Sequence, residues 1–229
     1  MSDLAIHVQD VSLTLQTNVG PVSILKNINL QVKKGESIGL VGPSGSGKSS
    51  LLMLLGGLEK ATKGQVQVLK RNFNSMGEDA LAEFRRMHMG IIFQSFHLIP
   101  TMTALENVAT PMELSGKPNA LKFAEDILSE VNLEHRLHHY PAQMSGGEQQ
   151  RTALARAVCI QPDILLADEP TGNLDEHNGG QIIELLFELV KKFGSTLVLV
   201  THDNEIATLC DRVIQLRNGK IFTNSKSLS

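Results

Sequence analysis

Gly42-Pro43-Ser44-Gly45-Ser46-Gly47-Lys48-Ser49 is the stretch on which the reading of this 229-residue chain turns. A short apolar run, Ile38-Gly39-Leu40-Val41, precedes it, and Leu51, Leu54, Leu55 and Leu58 follow at i, i+3, i+4 and i+7. The order is strand, glycine-rich loop, helix, with Leu58 predicted on the helix's apolar face. Glycines let such a loop curl until successive N–H groups point inward around phosphate oxygens, and the positive end of the helix reinforces the site. On this pattern Lys48 reaches the β- and γ-phosphates of a nucleotide and the Ser49 hydroxyl holds Mg²⁺. Gly42 through Ser49, together with Ser50, are the predicted nucleotide-binding residues. At average glycine usage, a chance turn would match the four fixed positions in roughly one chain in a hundred of this length.

Working outward, the first forty residues alternate in the manner of strands. Ile6, Val8, Val11, Leu13 and Leu15 precede a turn at Asn18-Val19-Gly20, and Val22, Ile24, Leu25, Ile28, Leu30 and Val32 follow it. This predicts an antiparallel β-layer with one buried face. Downstream, Phe123, Ala124, Ile127, Leu128 and Val131 mark a helix starting near Ala120. Ile164–Ala167 and Thr196–Val200 read as strands buried on both faces, separated by helical patterns, so the centre of the chain is βαβ in character. Val213–Leu216, Asn218-Gly219 and Ile221-Phe222 predict a hairpin, and Thr223 to Ser229 a frayed tail.

Composition bounds the function. Hydrophobic residues make up 41% and charged residues 20%, which suits a folded chain with a sizeable core and excludes disorder, collagen and a disulfide scaffold. The net charge of −3 gives no electrostatic case for nucleic acid. Cys159 and Cys210 fall in segments that read as buried helix, consistent with a reducing compartment. The amino end lacks the basic and apolar regions of a signal peptide, and Leu51–Leu55 is far too short to span a bilayer. Any action on a membrane is expected to run through a partner.

Two further motifs carry chemistry. Ile164-Leu165-Leu166-Ala167-Asp168-Glu169-Pro170 places two carboxylates at the carboxyl end of an apolar strand, the edge where open α/β sheets bind ligands. Asp168 is suited to orient Mg²⁺, and Glu169 to polarise the water that attacks the γ-phosphate. Met144-Ser145-Gly146-Gly147-Glu148-Gln149-Gln150-Arg151 opens another helix. Ser-Gly-Gly at a helix start is an anion site or simply a cap and turn, and alone it does not distinguish the two.

Together, however, these motifs resemble the ABC (ATP-binding-cassette) ATPases. The phosphate loop, Gln94, Ser145–Gln149, Asp168-Glu169, Asn173-Leu174-Asp175 and His202 follow that family's order and spacing over about Ile6 to Phe222. The resemblance implies an α/β fold: a P-loop NTPase (RecA-like) core with the N-terminal antiparallel β-layer and an inserted helical subdomain. The whole of residues 1–229 would be one such domain, with the core at about 1–95 and 159–222, the helical subdomain at about 96–158 and a tail at 223–229. It implies ATP as the nucleotide and Mg²⁺ as the metal, held by Ser49, Gln94 and Asp168. Glu169, His202 and Gln94 would be catalytic, with His202 on the γ-phosphate and Gln94 reporting nucleotide state to a membrane partner. Ser145, Gly146, Gly147, Glu148 and Asp175 would act in trans, on the ATP of the opposite subunit in an ATP-bound homodimer.

Phe93-Gln94-Ser95-Phe96, Ala104–Val108 and Pro170–Asp175 are similar to the MacB/LolD-type branch, and Leu98-Ile99-Pro100 with Pro141–Arg151 resembles most its YbbA-type members. That implies a subunit on the cytoplasmic face of the bacterial inner membrane, bound through a MacB- or YbbP-like permease, with periplasmic accessory proteins as further partners and hydrophobic or lipid-like cargo. Phe93, Phe96, Leu98, Ile99 and Met102 would line the groove for the permease. The alternatives are an ATP-driven mechanical or regulatory module without net transport, and a soluble ABC ATPase of DNA metabolism. The latter would want long coiled coils, and no sustained heptads separate Ser49 from Ser145. One departure from the family is plain. No Phe, Tyr or Trp precedes Phe73, so the ring that usually stacks on adenine is missing and Leu15 or a neighbour is expected in its place.

Overall fold

The computed structural model describes residues 3–18 and 20–223. In chain order the elements are β1 (Leu4–Thr17), β2 (Gly20–Lys33), β3 (Ser37–Val41), α1 (Lys48–Leu55), β4 (Lys63–Val68), β5 (Arg71–Asn72), α2 (Glu78–His88) and β6 (Met89–Ile92). There follow α3 (Ala104–Leu114), α4 (Ala120–Glu130), α5 (Gly146–Val158), β7 (Ile164–Asp168), α6 (Glu176–Phe193), β8 (Thr196–Val200), α7 (Asn204–Thr208), β9 (Arg212–Arg217) and β10 (Lys220–Thr223). The chain divides into two compact units, one built from residues up to Arg85 and from Thr196 onward, the other from Arg86 to Ser195.

In the first unit β1 and β2 pair antiparallel in a sheet of order β2-β1-β4-β5. The buried set changes parity along both strands: Ile6 and Val8 give way to Val11 and Leu13 on β1, and Val32, Leu30 and Ile28 give way to Leu25 on β2. A strict period of two would send half of these outward. Register shifts flanking Val11 absorb the change, with Asp10 and Asn27 at φ 49° and 50°. The irregularity is stitched by Asn29, whose Nδ2 donates to Asp10 Oδ1 at 2.9 Å and whose Oδ1 accepts from the Asp10 N–H at 3.0 Å. One face therefore stays apolar throughout.

The second sheet of this unit places β3 between β8 and β9, parallel to both, with β10 antiparallel to β9. Every residue of β3 and β8 is buried, including Ser37 and Thr196 that open them, as the apolar runs Ile38–Val41 and Leu197–Val200 require. Asn218 and Gly219 turn the β9–β10 hairpin with φ 51° and 75°, the pair of positive values a tight two-residue loop needs. The predicted tail begins too early: Thr223 belongs to β10 and pairs with Gln215, because the hairpin ladder extends one residue beyond Phe222. Residues 224–229 lie outside the described residues. Leu58 is also misplaced by the helical pattern. Gly56 caps α1 and Leu58 falls beyond it, 45% exposed.

In the second unit β6 and β7 run parallel. Around them α5 packs against β6, α3, α4 and α6, and α3 packs against α4. Thr103 and Glu106 form a capping box at the start of α3. Cys159 caps the end of α5, whereas Cys210 lies in the turn after α7 and not in a helix. Both cysteines are free and buried, and burial pushes their thiols up to about 12.

Candidate active site

The first unit supplies the phosphate loop and His202. The loop leaves β3 and enters α1 through Gly47 at φ 103°, and no side chain caps the helix there. An uncapped helix start keeps its first N–H groups available to an anion. Gly42 sits so close to β9 that a Cβ on it would come within 2.0 Å of the Leu216 carbonyl oxygen. From behind, the hairpin turn braces the loop. The Gly219 N–H donates to the Ser46 carbonyl at 3.1 Å, while the Gly219 carbonyl accepts from the Lys26 N–H at 2.8 Å. Lys48 Nζ lies along the loop, donating to the Gly42 carbonyl at 2.8 Å and to that of Pro43 at 3.3 Å. Ser49 is exposed and Ser50 half-buried.

His202, which follows β8, is exposed. It shares a cavity of about 510 Å³ with Val41, Gly42, Pro43 and Ser44 of the loop and with Asn204, Gln215, Leu216 and Arg217. The structure thus brings His202 and the loop together, although His202 lies 154 positions beyond the loop's Lys48 in sequence. Sequence reasoning left Asn204 and Arg217 out of this lining. Ser46 Oγ is buried without a hydrogen-bond partner among the described residues. A buried hydroxyl without a partner, in the loop that enters a helix start no side chain caps, fits a polyphosphate, whose oxygens accept from such donors.

The second unit supplies the remaining predicted residues. Asp168 ends β7, and Glu169 follows it at φ 47°, a left-handed conformation that a non-glycine residue adopts only when its surroundings hold it. Two turns continue from there: the Gly172 N–H donates to the Glu169 carbonyl and the Leu174 N–H to that of Thr171, both at 3.0 Å. Asp175 caps α6. Its Oδ1 accepts from the Asn178 N–H at 3.0 Å and its Oδ2 from Asn178 Nδ2 at 2.6 Å. These bonds hold the Asp175 carboxyl below its ordinary value.

Ser145 caps α5 in a reciprocal box. Its Oγ accepts from the Glu148 N–H at 3.3 Å, and Glu148 Oε2 accepts from the Ser145 N–H at 2.7 Å. The other Glu148 oxygen accepts from Arg136 Nε at 2.7 Å. Burial pushes the Glu148 carboxyl up, but the bonds from Ser145 and Arg136 outweigh it and the net direction is down. Gly146 and Gly147 face the Asp175 loop: a Cβ on Gly146 would lie 3.5 Å from a Leu174 methyl, and one on Gly147 would lie 3.5 Å from Asn178 Oδ1. The glycine loop and the Asp175 loop are therefore adjacent within this unit, though 30 residues separate Ser145 from Asp175.

Gln94 is exposed, and its loop is held from three sides. Asn173 Nδ2 donates to the Gln94 carbonyl at 2.7 Å. Arg156 of α5 donates to the carbonyls of Phe96 and His97, at 2.9 and 2.7 Å, where both residues are left-handed. The fully buried Asn107 accepts from the Ile99 N–H at 2.8 Å and donates to the Ile99, Met102 and Thr103 carbonyls. None of these three was assigned a role from sequence. Polar residues at such positions become informative only once their carbonyl partners are seen. Phe93, Phe96, Leu98, Ile99 and Met102 are all half-buried, presenting apolar surface along this loop. For the metal, a serine hydroxyl, an amide oxygen and a carboxylate are hard oxygen donors of the kind Mg²⁺ takes.

The family described as ABC transporter matches residues 25–172. The chain belongs to that family. As an ABC ATPase it binds and hydrolyses ATP with Mg²⁺. It is 50% identical over 202 residues to the uncharacterized ABC transporter ATP-binding protein YbbA of Escherichia coli, covering 87% of this chain and 89% of YbbA. It is 44% identical over 226 residues to the lipoprotein-releasing system ATP-binding protein LolD of Legionella pneumophila, covering 97% and 99%. Among solved structures, the dimeric bacterial ABC transporter cassette MJ0796 matches with a TM-score of 0.90 at 40% identity, over 96% of this chain and 98% of that one. The same cassette in a dimeric post-hydrolysis state, bound to ADP and Pi, matches at 39% identity and the same TM-score. The α/β cassette fold expected from the sequence is the fold found. Among the described residues no helix is long and apolar enough to cross a membrane.

Proposed function

We propose that this ABC ATPase works as an ATP-closed homodimer that drives a MacB-like permease at the cytoplasmic face of a bacterial inner membrane, moving or extracting lipid-like cargo. The observation that carries the dimer is that the glycine loop and Asp175 lie beside one another in the second unit, both in the form expected of a surface that completes another copy's site. The dimeric state of MJ0796 and the lipoprotein-releasing role in LolD's name support the same reading.

In this mechanism Lys48 and the N–H groups at the start of α1 hold the β- and γ-phosphates. Ser49, Asp168 and Gln94 would hold Mg²⁺, which would supply neutralising charge to the phosphate oxygens. Glu169 accepts a proton from the attacking water, and His202 orients that water and the γ-phosphate. Ser145, Gly146 and Gly147 of the partner copy close the site with a hydroxyl and backbone donors aimed at charge that develops on the transferred phosphoryl group. Glu148 acts through loop shape, since its carboxylate oxygens are already engaged by Ser145 and Arg136. The apolar side chains from Phe93 to Met102 receive the permease.

The decisive experiment is purification of the tagged chain from membranes in mild detergent, followed by identification of what accompanies it. A co-purifying integral membrane protein that raises ATP turnover is the expected result. Recovery of the chain with nucleic acid and no membrane protein would overturn the reading.

A further inference from the structure

We propose that Asn173 is a positioning residue for Gln94, fastening the loop that carries this metal-directed amide to the loop that carries Glu169 at its head and Asp175 at its tail. The inference rests on the proposed role of Gln94 and extends it. Among the described residues the Gln94 side chain makes no hydrogen bond. An exposed side chain of that kind would sample many rotamers, and ordering it costs entropy. Two contacts limit that freedom. Asn173 Nδ2 donates to the Gln94 carbonyl at 2.7 Å, which fixes the backbone from which the amide springs. Beneath the amide lies Gly172, where a Cβ would stand 2.7 Å from Gln94 Nε2, 3.2 Å from Cδ and 3.3 Å from Cγ. The glutamine side chain therefore rests against Gly172 and would have to shift if a side chain stood there.

Gly172 is part of the turn that starts at Glu169, since the Gly172 N–H donates to the Glu169 carbonyl at 3.0 Å. Two residues beyond Asn173, Asp175 caps α6. A displacement of Gln94 is thus delivered through one hydrogen bond to the segment holding the catalytic base and to the segment directed at the opposite ATP. The bond spans 79 residues of sequence, so no local helix or turn would maintain it if Asn173 were replaced.

The test is a double-mutant cycle on the full chain, with Mg²⁺ affinity of the ATP-bound chain measured by calorimetry and steady-state ATP hydrolysis measured against Mg²⁺ concentration for wild type, Gln94→Ala, Asn173→Ala and the double variant. Loss of one neutral hydrogen bond should raise the Mg²⁺ concentration for half-maximal turnover by about three- to ten-fold in Asn173→Ala. Asn173→Asp, which keeps the shape and removes the donor, should behave as the alanine variant does. In the Gln94→Ala background Asn173→Ala should have no further effect on the Mg²⁺ dependence. The proposal is overturned if Asn173→Ala matches wild type while Gln94→Ala does not, or if the two effects add fully. Should Gln94→Ala itself match wild type, the proposed role of Gln94 falls and this inference falls with it.

Discussion

Mixing Glu169→Gln chains with Ser145→Ala chains should restore hydrolysis that neither variant supports alone. Replacing the general base by its isosteric amide removes about 10²- to 10⁴-fold in rate. Removing the Ser145 hydroxyl takes away one donor to the transition state, worth about 10²- to 10³-fold. In the folded chain that hydroxyl also accepts from the Glu148 N–H at 3.3 Å, so Ser145→Ala loses a helix cap worth about 1 kcal/mol. For a chain of this size that lowers the melting temperature by about 2–4 °C, too little to empty the folded state. Ser145→Gly separates the two effects, since glycine at a cap costs only a few tenths of a kcal/mol while the hydroxyl is equally absent.

When the two variants are mixed in equal amounts, half of the dimers are mixed. In each mixed dimer one pocket combines an intact Glu169 with an intact Ser145 from the opposite copy, and the other pocket is doubly defective. About one pocket in four is then whole, so phosphate release per chain should reach about a quarter of wild type if the pockets act independently. Phosphate release is measured after subunit exchange, with mixed dimers captured through a tag on one variant. Activity that stays at the mean of the two parents, although mixed dimers are captured, would refute the shared site.

Glu169→Gln alone should bind ATP within a few-fold of wild type in calorimetry while turnover falls by about 10²- to 10⁴-fold; equal loss of binding would remove Glu169 from its role as base. Gly219→Ala should destabilise the chain by more than about 1 kcal/mol, because its φ of 75° is strained for alanine and its Cβ would meet the Ile24 carbonyl oxygen at 2.3 Å. ATP affinity should fall with it, since Gly219 braces Ser46, and an unchanged nucleotide Kd would show the phosphate loop to be independent of the hairpin. Glu148 sits below its ordinary value of 4.5, so its bonds to Ser145 and Arg136 stabilise the fold above that pH and are lost as pH falls through the folded value. The melting-temperature gap between wild type and Glu148→Gln should therefore shrink on acidification from about pH 6 to about pH 3.5, and a constant gap would contradict the assignment. At the base end, Leu15 and Val22 face each other across β1 and β2, 38% and 41% exposed, and offer an aliphatic platform without a ring. GTP should support turnover within several-fold of ATP, because about 0.5–1.5 kcal/mol of aromatic stacking is missing; a strong ATP preference would count against this.

The readable parts of the fold were those specified by neighbours in sequence. The β1–β2 layer showed through its alternation, yet the parity change between Val8 and Val11 makes sense only with Asn29 reaching across to Asp10. The leucine spacing of α1 overran the helix to Leu58 because periodicity does not register that two glycines, Gly56 and Gly57, stop it. Arg156 and Asn107 received no role from the sequence for a common reason. Each donates to backbone carbonyls, and a carbonyl carries no sequence signal of which side chain will find it.

From sequence alone came the phosphate loop, the carboxylate pair and the glycine loop, because each is a short run whose residue types and spacing dictate local geometry: glycine for curvature, a helix start for positive potential, an apolar strand to deliver charge at its end. Folding in three dimensions decided which of these runs touch. It set His202 beside the loop of Gly42, laid Gln94 across Gly172 and placed Gly147 against Asn178. Such contacts join residues dozens of positions apart, where chain connectivity exerts no constraint and only close packing and complementary hydrogen bonding select the partner.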